Sequence, residues 1–320
     1  MESKEPSQEK HLPRRNFLKI GAYALGAIVG VTAIGIAANE VRKVETSYET
    51  SYERSNEFSK TPDWQQNFAE SATETLDTTI WHYETSPNIP SYNNEVQGYT
   101  DWRQNVRIEE GIGLVIEAHK RDYQYPNDPE GRQFEYTSGR IDTRKSLSFE
   151  YGKVEATMKL PEGEGVWPAF WLLSGNEVHT LDKEFSQKEE NDQDFYLRNG
   201  EIDIMEYYGN NPSQVELTVH TYNGSQTNSV NIENATREFH TYGAELTPDN
   251  LILTIDGKPY HTFAKSSDDP NDWPFGNYNQ MYIILNLAMG GPAGEINDKE
   301  GPWRLEVADI SFYNYTGDRP

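Results

Sequence analysis

The sequence predicts an all-β protein, two antiparallel sheets stacked face to face, and three observations predict it. Short runs of alternating apolar and polar residues recur along the chain, the period of two that sends successive side chains to opposite faces of a strand. Turn residues separate these runs, and Asp256-Gly257 is a pair suited to a tight type I′ hairpin. Residues 62–320 show no long amphipathic helical period. Many strands and short turns without helices fit a sandwich.

In chain order, the first feature is PRRNFLK at residues 13–19, followed by an uncharged, glycine-spaced apolar run at 20–38. This resembles a twin-arginine signal peptide, with Arg14 and Arg15 ahead of Phe17, Leu18 and Lys19, and implies export by the twin-arginine machinery. Small residues at Ala33, Gly35, Ala37 and Ala38 offer a cut near Ala37, which would release a secreted protein. Left uncut, the run approaches the length that spans a bilayer, about 20 residues, and would serve as a membrane anchor at the cell surface. Residues 39–61 are rich in Ser, Thr, Tyr and Glu and read as a polar linker, so the folded domain is expected at 62–320.

Within that domain, residues 106–120 read as a hairpin turning through 109–113, and 152–160 alternate as a strand. Residues 215–222 put Val215, Leu217 and Val219 on one face and Glu216, Thr218 and His220 on the other. A hairpin at 251–263, a strand apolar on both faces at 281–289 and a last strand at 305–313 complete the pattern. Residues 174–199 break it: polar and acidic, they read either as a wall or lid beside a cleft or as a disordered surface loop.

Charge and composition narrow the partners. A formal charge of -24 argues against nucleic acid and against an anionic membrane surface, which both call for basic patches. With no Cys, disulfides, thiolate nucleophiles and Cys-ligated zinc are excluded. Aromatics make up 12% of the chain, a class that favours strands and also stacks on sugar rings.

The chemistry centres on residues 200–209, GEIDIMEYYG. In a regular strand Glu201 and Asp203 share a face and Glu206 points to the other. A β-bulge at Ile204 and Met205 would return Glu206 to their face, whereas a helix would not bring the three together. Two glutamates leaning toward each other from such a strand could bring their carboxyls to about 5 to 5.5 Å, the separation of a retaining glycosidase. An edge strand wearing acids on its wet face is the alternative that spacing leaves open. Trp167 and Trp171, four apart in a strand, face the same way, either as cleft platforms or as core.

Taken with GVWPAFWLL at 165–173, YTSGRI at 136–141, NNEVQGYT at 93–100, FHTYGAELTPD at 239–249 and ILNLAMGG at 284–291, this motif resembles glycoside hydrolase family 16, in particular its laminarinase-like members. The resemblance implies a concanavalin-like β jelly roll with an open cleft that cleaves a β-1,3-glucan or mixed β-1,3-1,4-glucan internally, with retention. It implies Glu201 as nucleophile, Glu206 as acid/base and Asp203 as the supporting carboxylate between them. Crowding of three acids is expected to raise one pKa, that of Glu206. The resemblance also makes Trp167, Trp171, Asn94 and Arg140 substrate-binding residues; His220, on the polar face of its strand, is a further candidate looking into the same cleft, and Asn286, an amide between Leu285 and Leu287, is expected to find a partner either in the core or at the cleft. The resemblance requires no cofactor but raises a structural calcium at Asp309. The implied partner is a polysaccharide met by a monomer. Hydrolysis of a galactan such as agarose or carrageenan, glucan transglycosylation and non-catalytic glucan binding are the competing functions.

Overall fold

The computed structural model describes residues 57–85, 92–174, 199–276 and 279–319, all within one compact unit, Thr46–Pro320. The signal expected at 1–38 and residues 175–198 of the acidic segment lie outside the described residues. Among the described residues no helix is long and apolar enough to cross a membrane.

The strands are β1 (Trp64–Asn67), β2 (His82–Tyr83), β3 (Gln97–Tyr99), β4 (Val106–Glu109), β5 (Gly113–Tyr123), β6 (Phe134–Ser138), β7 (Arg140–Asp142), β8 (Ser148–Phe149) and β9 (Gly152–Lys159). They continue as β10 (Val166–Ser174), β11 (Glu201–Tyr207), β12 (Gln214–Thr221), β13 (Gly224–Asn231), β14 (His240–Leu246), β15 (Asn250–Ile255), β16 (Lys258–Ala264), β17 (Met281–Met289) and β18 (Trp303–Asn314). One sheet runs β16-β15-β14-β9-β18-β5-β6-β3, with β1 against β18 and β4 against β5. The other runs β13-β12-β11-β10-β17-β7-β2, with β8 against β17. The strands at the centre of the second sheet pair antiparallel, and β3 with β6 is a parallel pair.

The expected hairpins are β4–β5 and β15–β16. At the turn of the second, Asp256 and Gly257 have φ of 51° and 70°, the pair of positive values a type I′ turn needs. Strand β17 is buried at all nine positions, as its apolar run, interrupted only by Asn286, predicts.

The linker boundary differs from the one composition suggests. Phe58 is 4% exposed, bridges to Tyr315 and meets its ring edge-on at 6.0 Å. The packed domain therefore includes residues before 62, because one aromatic finds a partner at the far end of the chain. A lone Phe in a polar stretch has no period to announce it.

The inner faces of the two sheets meet in one core. Val166, Phe170, Leu172, Ile202 and Ile204 from the second sheet join Ala156, Met158, Leu305 and Val307 from the first. Each large side chain so buried contributes about 1.5 to 3 kcal/mol. That core fixes which residues of β10, β11, β12 and β17 must look outward, and the outward face carries the site.

Candidate active site

Strand β11 contains the bulge. Against β10, Met205 pairs with Phe170 but Asp203 pairs with Trp171, which leaves Ile204 as the extra residue. Against β12, Asp203 pairs with Thr218 and Glu206 with Glu216, so Ile204 and Met205 together face Leu217. Both bulge residues are fully buried in the core. Two consecutive apolar side chains turned inward restore the alternation for Glu206, and the three acids share the outer face. Glycines bound the strand for steric reasons. A Cβ on Gly209 would sit 1.8 Å from the Gly163 carbonyl oxygen, and one on Gly200, at φ +78°, would sit 2.6 Å from Pro274.

Pairing across the sheet sets these acids in rows. Glu201 lies opposite His220, and Glu206 opposite Glu216. On the other side, Glu206 lies opposite Ala169, Ala169 opposite Asn286, and Asn286 opposite Arg140. The small Ala169 sits between the two tryptophans of β10, whose rings stay partly exposed while Phe170 and Leu172 are fully buried.

Side-chain contacts join the rows. Trp167 Nε1–H donates to Glu206 Oε1 at 3.0 Å, and the Tyr208 hydroxyl donates to the same oxygen at 3.1 Å. The Trp167 and Tyr208 rings lie 5.6 Å apart. Trp171 Nε1–H donates to Asn286 Oδ1 at 2.8 Å, and Asn286 Nδ2 donates to the Tyr99 hydroxyl at 3.2 Å. The Arg140 guanidinium stacks on Trp171 at 4.9 Å. His220 Nε2 lies 2.9 Å from Asp203 Oδ2 and 4.0 Å from Glu201 Oε1.

Burial pushes all three carboxyls up, Glu201 and Glu206 to about 8 and Asp203 to about 7. The negative charge of Asp203 pushes further on both glutamates, His220 opposes it on both, and the Trp167 and Tyr208 donors oppose it at Glu206. A hydrogen bond between Glu201 and Asp203 partly offsets the effect of burial on Asp203. The expectation that Glu206 alone would be raised is corrected: desolvation acts on the whole cluster, so its members share protons as a coupled set.

The structure brings Glu201, Asp203, Glu206, Trp167, Trp171, His220, Asn286 and Arg140 onto one face of one sheet. Asn94, exposed and at φ 62°, lies in the turn at Tyr92–Asn94. A side chain on Gly291 would meet both the Asn93 carbonyl and the Trp167 ring, which puts this turn at the cleft rim. Asp309 is elsewhere, on β18 of the first sheet opposite Asn67. Its carboxyl bonds to Thr157, and neither cluster of three His or acidic side chains among the described residues that could hold a metal includes it. Its surroundings thus give a calcium, which takes about six to eight oxygens, little side-chain support. Sequence reading missed Tyr208 and Tyr99. The first shares the face of Glu206 by simple alternation; the second reaches Asn286 only through folding.

Known proteins share this fold and much of this sequence. Residues 65–306 match the model for glycosyl hydrolases family 16. A beta-glucanase from Rhodothermus marinus is 35% identical over 236 residues, covering 70% of this chain and 75% of the relative. Among solved structures, a non-specific endo-beta-1,3(4)-glucanase of family 16 superposes with a TM-score of 0.68 at 29% identity, over 81% of this chain and 92% of that one. The laminarinase from Rhodothermus marinus gives 0.67 at 28% identity, over 81% and 99%. The matched region holds the bulged strand, all three acids and both tryptophans, and the chain belongs to glycosyl hydrolase family 16.

Proposed function

We propose that the protein is an endo-acting, retaining hydrolase of β-1,3-glucan or mixed β-1,3-1,4-glucan. The observation that carries this reading is the bulge that sets Glu201, Asp203 and Glu206 on one outward face, beside partly exposed tryptophans. The enzyme names of its relatives support the glucan substrate.

Glu201 attacks the anomeric carbon as the carboxylate while Glu206 gives its proton to the glycosidic oxygen, so the C–O bond breaks and a glycosyl ester forms. Water then attacks that ester, Glu206 takes the proton and Glu201 leaves as carboxylate. Asp203, hydrogen-bonded to Glu201, steadies the nucleophile between the two steps. The donors on Glu206 both meet Oε1, which directs the transferable proton to Oε2. Trp167 and Trp171 offer ring faces to pyranose C–H groups, with Arg140, Asn286 and Asn94 as partners for sugar hydroxyls. Export through the twin-arginine route, resting on Arg14-Arg15 and the apolar run behind them, would bring the enzyme to a polymer outside the cell.

The test is incubation of the purified protein with laminarin, lichenan, agarose and carrageenan. Laminarin or lichenan should yield oligosaccharides whose first-formed anomer by NMR is β, and Glu201→Gln should lower the rate by at least about a thousandfold. An initial α product would refute retention. Cleavage of the galactans alone would move the substrate class.

A further inference from the structure

Two groups of one histidine and two acids among the described residues bring three ligand atoms within 4.8 Å of one another: His82, Glu84 and Asp142, and Glu201, Asp203 and His220. The first already has its cation. Arg144 Nε donates to Asp142 Oδ1 at 2.9 Å, and Nη2 lies 2.7 Å from Asp142 Oδ2 while also pairing with Glu84. A metal ion there would have to displace a guanidinium bonded to both carboxylates.

The second group has no such partner: among the described residues its ion pairs are those with His220. Asp203 is 4% exposed, yet its Oδ2 meets no hydrogen-bond donor among the described residues. That oxygen is aimed at His220 Nε2, 2.9 Å away, and Glu201 Oε1 lies 4.0 Å from the same nitrogen. His220 Nδ1, on the other edge of the ring, is engaged with Ser225 Oγ at 2.6 Å. A buried carboxylate oxygen calls for a donor or a cation. Zinc binds imidazole nitrogen and carboxylate oxygen at about 2.0 to 2.2 Å, which sets neighbouring ligand atoms roughly 3.3 Å apart in a tetrahedron. The separations around His220 Nε2 straddle that value.

We propose that Glu201, Asp203 and His220 form a zinc site on the cleft face, and that zinc bound there shuts the enzyme off by occupying the nucleophile. His220 Nε2, Asp203 Oδ2 and a Glu201 oxygen supply three ligands, and cleft water completes the four. The ion can enter, because the His220 and Glu201 side chains are 30% and 28% exposed. An imidazole beside two carboxylates suits zinc, whereas calcium and magnesium ask for more oxygens than this group offers. The inhibition rests on the role assigned above to Glu201, since an oxygen held on zinc cannot attack an anomeric carbon. The binding does not rest on it.

The test is calorimetric titration of the full chain, stripped with EDTA, with zinc chloride at neutral pH. One tight site per chain is expected. His220→Gln and Asp203→Asn should each weaken it by at least about tenfold, and His82→Gln, in the group that Arg144 already neutralises, should leave it within about twofold. Laminarin turnover by the parent should fall at least tenfold at saturating zinc, recover with EDTA, and be unmoved by equal calcium or magnesium. Weak binding at many places that none of the variants changes would overturn the proposal, as surface acids on a chain of charge -24 would give. So would a tight site lost in His82→Gln and kept in His220→Gln. Zinc held through His220 with turnover untouched at saturation would instead keep the site and remove the nucleophilic role of Glu201.

Discussion

Glu206 is held by two donors on one oxygen, and one of them can be removed without removing the ring that carries it. The Trp167 N–H bond stabilises the carboxylate and so works against the burial that raises its pKa. In Trp167→Phe the platform remains but the donor is gone, so the pKa of Glu206 rises further. As acid, Glu206 acts while protonated, below its pKa; the basic limb of the kcat profile should therefore move upward, with kcat lower by about three- to tenfold. A basic limb that stays put or moves downward in a pH–rate titration would contradict this. At this scale strand parity put Trp167 and Trp171 on one common face and His220 on the polar face of its strand, and the resemblance chose the cleft over the core for the tryptophans. Parity could not show that Arg140 stacks on Trp171 or that Asn286 bridges Trp171 to Tyr99, because those partners come from separate strands.

At the scale of the element, the bulge decides whether the acids form a site. Inserting one alanine after Met205 would shift the alternation of β11 beyond the bulge by one residue, and Glu206 would exchange faces with Tyr207, which is 1% exposed in the core. The insertion should abolish turnover of laminarin, and any folded protein that results should be markedly less stable by thermal melting, since a glutamate would enter the core and a tyrosine leave it. Wild-type rates in the insertion would rule out strand parity past Asp203 as the cause of convergence. The glycine that ends the motif makes a second prediction. In Gly209→Ala the new methyl would meet the Gly163 carbonyl at 1.8 Å, backbone against backbone. The expected outcome is a loss of about 2 kcal/mol or more in denaturant unfolding, because neither partner has a side chain to swing away. The motif's spacing predicted the bulge, since three acids had no other way to share a strand face. The close approach of Gly209 to Gly163 joins two distant loops and left no pattern to read.

For the molecule as a whole, the site is a source of instability at high pH. Glu201, Asp203 and Glu206 all have folded pKa values above their unfolded ones. Groups raised in this sense bind protons more tightly when folded, so the stability they contribute is full below about pH 4, their unfolded pKa range, and is lost as pH rises through about 7 to 8. Replacing one charge by a neutral isostere should relieve that loss. Glu206→Gln should melt at a higher temperature than the parent at pH 9, by the equivalent of about 1 kcal/mol or more, and the difference should shrink toward pH 4. A difference that is the same at both pH values would mean that the acids' ionisation does not oppose folding. The sheets can hold such a cluster because the core beneath it is continuous between them.

Alternation and turn residues were enough to predict a β sandwich, and one irregular acid spacing offered a bulged catalytic strand or an acidic edge strand, because those features depend on backbone periodicity, which is local and repeats with each residue. Family resemblance of six ordered motifs added the substrate class as an expectation. Folding settled what periodicity leaves open: Phe58 joins the packed domain through Tyr315, Asp309 lies in the other sheet from the acids, and burial raises all three carboxyls where crowding alone suggested one. These outcomes depend on which strands become neighbours and on how much water the packed cleft excludes, and neither quantity belongs to any single stretch of the chain.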